Sequence, residues 1–400
     1  MMWQRYELVF ISIFALQKYM ALQHHNMEKS LNILLIGDYS NVHATLAAGL
    51  RILGHRVVVA SDGDGWKDYP RDIDLRRHTM SKLGSLSYVL RVERLIRRMR
   101  GFDIVQLIGP DFLPLKAERT LRYYNMLRRA NRRLFLGAFG MDRYYVEACL
   151  DRQTFRYSDF NLGSQLRQSE ENTHFIADWL HGAKGALNTR IANECDGIVA
   201  GLYEYHAAYQ KHFAHKLCFI PFPIVPDTNP VAPSTSSSTQ SRPLHFFIGL
   251  MRQRMAYKGT DVMLRALHRL QARYGDAILV EEVENLPFAI YRKRLLHSDV
   301  LLDQLYSYTP AMNALEAMSH GVVVVGGAEP ENYAILGEEE LRPIINVEPN
   351  EDSVYQALCQ LVEQRDELPR LKHESQLYIA KHHDYRKVAQ QYVDFWLSKA

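Results

Sequence analysis

Four hundred residues are too many for one ordinary core and comfortable for two domains. A hydrophobic fraction of 47% and a charged fraction of 23% are ordinary for a soluble globular protein. A net charge of +3 excludes a chain that is basic throughout, and with it a general nucleic-acid binder. Four scattered cysteines with no CxxC pair (Cys149, Cys195, Cys218, Cys359) argue against a disulfide framework or a zinc site, and for a reducing compartment.

Residues 8–16 form an apolar run too short to span a bilayer. Glu7 and Lys18 flank it and no small-residue cleavage site follows, so a signal peptide fits poorly. The fold pattern begins at Leu31, just after Met27. Residues 1–26 are therefore expected to be an upstream extension or a weak surface anchor, and 1–30 to lie outside the fold.

From there β-α-β grammar runs along the chain. Residues 32–36 (NILLI) read as a buried strand, 37–40 as a turn, 42–53 as a helix stopped by Gly54, and 56–60 as a β-branched strand. Strands follow at 102–108, after a long basic helix, and at 133–138, 197–200 and 217–220. Residues 226–243 (PDTNPVAPSTSSSTQSRP) are a linker by composition. The grammar then restarts, with strands at 245–250, 277–280, 300–303 and 322–325 and helices at 260–274, 287–298 and 310–319. Residues 373–397 carry a long helical pattern expected to bend near Asp384. Alternating strands and helices predict parallel sheets covered on both faces. The expected division is 31–225 with about 385–400 as an N-terminal Rossmann-like domain, 226–243 as linker, and 244–384 as a C-terminal Rossmann-like domain. In such folds ligands bind beyond the carboxyl ends of the strands.

Two loops there carry chemistry. In residues 306–321 (YSYTPAMNALEAMSHG), Thr309 suits an N-cap and Pro310 a first helical position, so free N–H groups face forward as an anion site. Glu316, two turns in, is placed to accept hydrogen bonds from a ribose diol; the plain alternative is an exposed helical residue behind an ordinary cap. In residues 251–259 (MRQRMAYKG), Arg252, Arg254 and Lys258 gather positive charge directly after a strand. Fixed cations there would stabilise a departing nucleoside diphosphate. A solvated basic loop is the alternative.

Together the two segments resemble the GT-B glycosyltransferases, family 4 in particular. In that family an Arg and a Lys six positions apart, the Lys followed by Gly, clasp the donor diphosphate, as Arg252 and Lys258–Gly259 are spaced here. Glu316-Ala317-Met318-Ser319-His320-Gly321 matches the end of the family's Glu-x7-Glu motif. Asn41 to His43, Gly54 to Val57, Pro221 to Pro223 and Glu331 after Gly326–Gly327 add to the likeness, which spans about residues 31–400.

The resemblance implies two Rossmann-like domains facing across a cleft, with the C-terminal helix crossing back to the first. It implies retaining transfer of a sugar from a nucleotide-sugar donor to a carbohydrate or lipid-linked acceptor, in cell-surface polysaccharide or glycolipid synthesis. It places Glu316 on the donor ribose, with Thr309, Asn313 and Arg254 beside the donor and Ser40 and Asn41 facing it from the other domain. One departure stands out: the first acid of Glu-x7-Glu is replaced by Tyr308. A phenol cannot accept two hydrogen bonds as a carboxylate does, so Asp303 or Asn313 is the substitute on offer for the sugar contact. Asp142, after the strand 133–138, is the candidate at the reaction centre, with a helix cap as its alternative. Retaining chemistry needs no separate base, since the donor phosphate can take the acceptor proton.

Asp62-Gly-Asp64 and Asp72-Ile-Asp74 read as polar loop, and no cofactor and no essential metal are expected because cations already face the diphosphate. Seventeen histidines show no metal-ligand spacing. Dense arginine at 91–100 and 119–133 reads as solvated helix faces or, alternatively, as a docking surface for anionic lipid on the cytoplasmic face of a membrane. Two rivals to a glycosyltransferase remain. One is a non-catalytic relative that binds nucleotide or a partner, which Tyr308 favours. The other is a dinucleotide-dependent enzyme, which the missing G-x-G-x-x-G weakens.

Overall fold

A computed structural model describes residues 30–79, 81–227 and 242–399. The predicted extension at 1–26 and most of the predicted linker lie outside the described residues.

The first domain is built on a seven-stranded sheet. Its elements run β1 (Asn32–Ile36), α1 (Val42–Ile52), β2 (Arg56–Ser61), β3 (Ile73–Asp74), α2 (Lys82–Arg98), β4 (Ile104–Leu107), α3 (Ala117–Ala130), β5 (Arg133–Ala138) and α4 (Arg143–Leu150). A short hairpin, β6 (Asn161–Leu162) with β7 (Gln165–Leu166), then leads through α5 (Glu170–Ile176) and a π-helical turn, Ala177–His181. After it come α6 (Ala183–Glu194), β8 (Gly197–Ala200), α7 (Tyr203–Phe213) and β9 (Leu217–Phe219). The sheet order is β3-β2-β1-β4-β5-β8-β9, and its pairs are parallel. In register, Leu34 sits between Val58 and Val105. Helices cover both faces, so central strands such as β4 and β8 are buried at every position.

The second domain repeats the plan with β10 (Leu244–Leu250), α8 (Met255–Lys258), α9 (Thr260–Tyr274), β11 (Ile278–Glu284), α10 (Phe288–Leu295), β12 (Val300–Leu302), α11 (Met312–Ser319), β13 (Val323–Gly326), α12 (Pro330–Leu336), β14 (Ile345–Asn346) and α13 (Glu351–Glu363). Its parallel sheet runs β11-β10-β12-β13-β14. Helix α9 buries Met263, Ala266, Leu267 and Leu270, the spacing of one helical face. Strand order reverses beside β1 in one sheet and beside β10 in the other. The loops after β1 and β10 therefore open at the two switch points where α/β sheets bind ligands.

The chain ends in α14 (Leu368–Tyr378), a π-helical turn (Ile379–His383) and α15 (Tyr385–Ser398), with the bend at Asp384. There the backbone pairs with the other crossover: Ile224 N donates to His383 O at 2.7 Å and Tyr385 N to Ile224 O at 3.0 Å. Helix α15 then lies on α1 of the first domain. A Cβ on Gly49 would stand 2.3 Å from the Tyr385 carbonyl, so this close approach requires glycine. Trp396 is fully buried, its indole donating to Gln106 Oε1 at 3.3 Å while Arg133 Nη1 reaches its carbonyl at 2.9 Å.

Among the element boundaries that differ from expectation, two bear on the cleft and its edge. The helix expected at 310–319 starts at Met312, with extended Ala311 in the cap position and no side-chain cap. Thr309 is buried and donates to Glu204 of α7 at 2.5 Å, so a tertiary carboxylate takes the hydroxyl from the helix end. The strand expected at 277–280 runs on to Glu284 because β10 pairs with it throughout. As the sheet edge it carries Glu281, Glu282 and Glu284, charges of the kind that deter further pairing.

Candidate active-site cleft

A cavity of about 1130 Å³ lies between the carboxyl ends of the two sheets. Seven residues named from sequence line it: Ser40, Asn41, Arg254, Lys258, Asp303, Asn313 and Glu316.

The floor comes from the second domain. Gly259 has φ +74°, which turns the chain out of α8 into α9 and leaves Lys258 at the cleft. The Lys258 ammonium makes no hydrogen bond to any described residue. Burial pulls its pKa down; Asp303 opposes this, and the positive charge of Arg254 adds to the lowering. Asp303, at the end of β12, also lines the cleft, and burial pushes its carboxyl above the ordinary range. Asn313 donates to Asp303 at 3.1 Å and accepts from Tyr291 at 3.2 Å. Ala311, Met312 and Asn313 bring the first turn of α11, with its free N–H groups, to the same wall. One turn further on, Glu316 pairs with Arg292.

The roof comes from the first domain. Ser40 and Asn41 hold left-handed φ values of 50° and 71°. Asp38 fixes the turn by accepting the His43 and Ala44 N–H groups at 3.0 and 3.2 Å, and burial pushes its carboxyl up to about 7. Asn41 Oδ1 is buried without a hydrogen-bond partner among the described residues, beside the cavity. Asp64 accepts from Ser40 N at 2.9 Å and from Lys67 Nζ at 2.6 Å.

Four predicted site residues stand elsewhere. Arg252 is 80% exposed and binds Glu284 at 2.7 Å, outside the cavity lining, while Arg254 is the arginine that reaches the cleft. Tyr308 is buried at the domain boundary, and Thr309 beside it is held by Glu204. Asp142 is the N-cap of α4, accepting from Tyr145 N at 2.9 Å and Tyr209 OH at 2.7 Å, and burial pushes its carboxyl up to about 7. It is absent from the cavity wall because the α4 cap and Tyr209 use both its oxygens.

Sequence reading missed the loop 62–69 and the segment 151–181. Asp64 sits in one of the two acidic strings read as polar loop, yet it lines the cleft with Trp66, Lys67 and Tyr69. Asp62 accepts from Asp64 N at 3.1 Å and, through its carbonyl, from Arg76 Nε at 3.2 Å, and Asp72 and Asp74 serve Arg51 and Arg71. Segment 151–181 reaches across to the cation loop. Glu171 binds Arg254 at 3.0 Å, Asp159 accepts from Tyr257 at 2.9 Å, and Arg167 donates to the Tyr257 carbonyl at 3.3 Å. Polar, irregular sequence gave no periodic signal for it. Among the described residues no cluster of three or more His, Cys, Asp or Glu is arranged to hold a metal.

No protein-family profile and no curated protein matches the chain. Solved structures do. HepE of Anabaena, solved with UDP and glucose, aligns at TM-score 0.56 and 14% identity over 92% of this chain and 100% of its own. Sucrose-phosphate synthase of Thermosynechococcus elongatus aligns at 0.58 and 13% identity over 92% and 98%. The catalytic domain of starch synthase IV from Arabidopsis thaliana, bound to ADP and acarbose, aligns at 0.56 and 11% identity over 93% and 99%. With its two parallel-sheet domains, the cleft between them and the returning C-terminal helix, the chain has the GT-B fold.

Proposed function

We propose that this chain is a glycosyltransferase that moves a sugar from a nucleoside-diphosphate sugar to an acceptor hydroxyl. One observation carries the reading. A single cavity gathers the Lys258 ammonium, Arg254, the first turn of α11 and, one turn along, Glu316. The cations and helix end suit a diphosphate, and a carboxylate at that offset suits the ribose attached to it. Structural neighbours solved with UDP or ADP support the same assignment.

In the proposed retaining reaction, the bond between the anomeric carbon and the diphosphate oxygen breaks, and the oxygen keeps the electron pair. The acceptor oxygen bonds to the same face, and its proton passes to the departing phosphate. Lys258 and Arg254 act by holding charge that grows in the transition state. Ser40 and Asn41 close the cavity from above, with the unpartnered Asn41 oxygen ready to accept a hydrogen bond. The acceptor is proposed to be a carbohydrate or lipid-linked hydroxyl in cell-surface polysaccharide or glycolipid synthesis, and the donor site to need neither cofactor nor metal.

Surface features support docking on an anionic membrane. The outer face of α2 presents Leu83, Leu86 and Leu90, 82%, 58% and 58% exposed, and continues into exposed Arg94 and Arg97. Leucines beside arginines suit the boundary between acyl chains and anionic headgroups. Part of the arginine is otherwise engaged, since Arg97 and Arg122 both bind Glu93. No described helix is long and apolar enough to cross a membrane. Sedimentation with phosphatidylglycerol vesicles at low salt tests this surface, and a chain that stays in the supernatant removes it.

The enzymatic reading is tested by screening nucleotide sugars for thermal stabilisation and donor hydrolysis. The correct donor raises the melting temperature and is turned over, and Lys258→Ala and Glu316→Ala lose turnover. Undiminished turnover by Glu316→Ala refutes the assignment. A second reading, a non-catalytic relative that binds nucleotide, is favoured by the use of Tyr308 in domain packing. Tight binding of nucleotide with no turnover of any donor would select it.

A further inference from the structure

The loop between β2 and β3 brings two aromatic side chains to the cleft from the domain opposite Glu316. Trp66 stands edge-on to Phe288, the first residue of α10, with ring centroids 5.6 Å apart and planes at 81°. Tyr69 meets the same ring at 5.4 Å and 82°. The three rings bridge the two domains, and all three line the cavity. Trp66 remains 57% exposed there, so most of the indole has no packing partner.

The loop that carries them is built, with left-handed φ values at Asp64, Gly65 and Asp68. Lys67 ties it to Asp64 at 2.6 Å and to Ser40 at 3.1 Å. Arg71 and Arg76 both hold Asp68, at 2.7 and 2.5 Å. An exposed indole on a braced loop loses little freedom when a ligand covers it.

Position along the cleft names the ligand. Phe288 lies one turn before Arg292 on α10, and Arg292 pairs with Glu316, which places the Trp66–Tyr69–Phe288 cluster at the Glu316 end. If Lys258 and the start of α11 take the diphosphate and Glu316 takes the ribose, the next unit outward is the base. There the second domain offers the apolar side chains of Val283, Leu286 and Pro287. Resting on the donor-site reading above, we propose that Trp66 is the stacking face for the donor's nucleobase, so that the base is held from both domains. Tyr69 and Phe288 set the angle of the indole.

The test is calorimetric titration of the full chain with UDP, ADP, GDP, CDP and pyrophosphate, with tryptophan emission followed in parallel. The preferred nucleoside diphosphate is expected to quench emission in the wild type and to leave it unchanged in Trp66→Phe. In Trp66→Ala its Kd rises about tenfold, the scale of one base–aromatic stack, while the Kd for pyrophosphate stays at the wild-type value. Trp66→Ala that binds the nucleotide as tightly as wild type overturns the proposal. So does a quench that persists in Trp66→Phe, or an equal loss of pyrophosphate binding. If the wild type binds pyrophosphate and none of the nucleotides, the donor reading falls as well, a separate and recognisable failure.

Discussion

The Tyr308 hydroxyl accepts the backbone N–H of Arg156 at 2.6 Å, across the boundary between the two domains. Around this bond Tyr308 packs on Phe155, Tyr157 and Tyr203 at 5.7, 4.9 and 5.7 Å, and the Arg156 guanidinium lies 4.9 Å from its ring. Arg156 also binds Glu329 at 2.7 Å and pairs with Glu331. Tyr308 therefore belongs to the joint between domains, not to the donor pocket. Tyr308→Phe removes the partner of a part-buried N–H and is expected to cost about 1 kcal/mol in denaturant unfolding. Nucleotide affinity should stay near the wild-type value; a large loss would return Tyr308 to the pocket.

Glu204 locks the same joint. Its carboxylate accepts from Tyr308 N at 2.6 Å, Thr309 N at 3.1 Å, Ser307 Oγ at 3.1 Å and Thr309 Oγ1 at 2.5 Å. Removing it strands several buried donors at once. Glu204→Ala is expected to lower stability by about 3 kcal/mol or more and to broaden or split the calorimetric transition as the domains uncouple. Glu204→Gln, which keeps an acceptor, should lose less.

The structure separates two arginines that sequence grouped together. Arg254 lines the cavity, whereas Arg252 is spent on Glu284 outside it. Arg254→Ala is expected to reduce kcat/KM for the donor by about 10²-fold, the scale of a lost transition-state contact. Arg252→Ala should cost far less. Steady-state kinetics on both variants decides it, and the reverse order would mean that Arg252 swings into the site.

Lys258 gives donor binding a pH dependence. Burial holds its pKa below the ordinary 10.5, and a diphosphate beside it favours the charged form. Binding is then accompanied by proton uptake once the free lysine has lost its proton. Donor affinity should fall on the alkaline side at a pH below 10.5, and Lys258→Arg should remove that limb. Calorimetry in buffers of different ionisation enthalpy reads the proton count.

Asp142 gives stability a pH dependence of the opposite kind to an ordinary salt-bridged acid. Its pKa rises from 3.8 to about 7 on folding, so its contribution is fully present below 3.8 and is lost as pH rises through 7. Asparagine keeps the acceptor for the Tyr145 N–H. Asp142→Asn is expected to gain stability over wild type as pH rises from 4 to 7, reaching about 4 kcal/mol, and then to hold that gain. Turnover should persist, because Asp142 caps a helix and lies outside the cavity wall.

Much of the fold was legible because its signals are local. Apolar runs such as NILLI and FDIVQLI mark strands buried on both faces, and the composition change at 226–243 marks the passage between two such sets. The second wall of the cleft was legible for the same reason: Lys258, Asn313 and Glu316 follow directly on a strand or lie on one helix, so their spacing in sequence is their spacing in space. Tertiary structure decided the rest. It took Thr309 from a helix cap, because the helix starts only at Met312 and the Thr309 hydroxyl turns instead to Glu204, far away in sequence. It withdrew Asp142, Tyr308 and Arg252 from the site by giving each a partner elsewhere. It also brought in Asp64 and Trp66, from a loop with no periodic pattern, because the two sheets face one another. Sequence alone determined what each domain is. Only packing between them decided which side chains share the cleft, since no local spacing encodes a contact made across it.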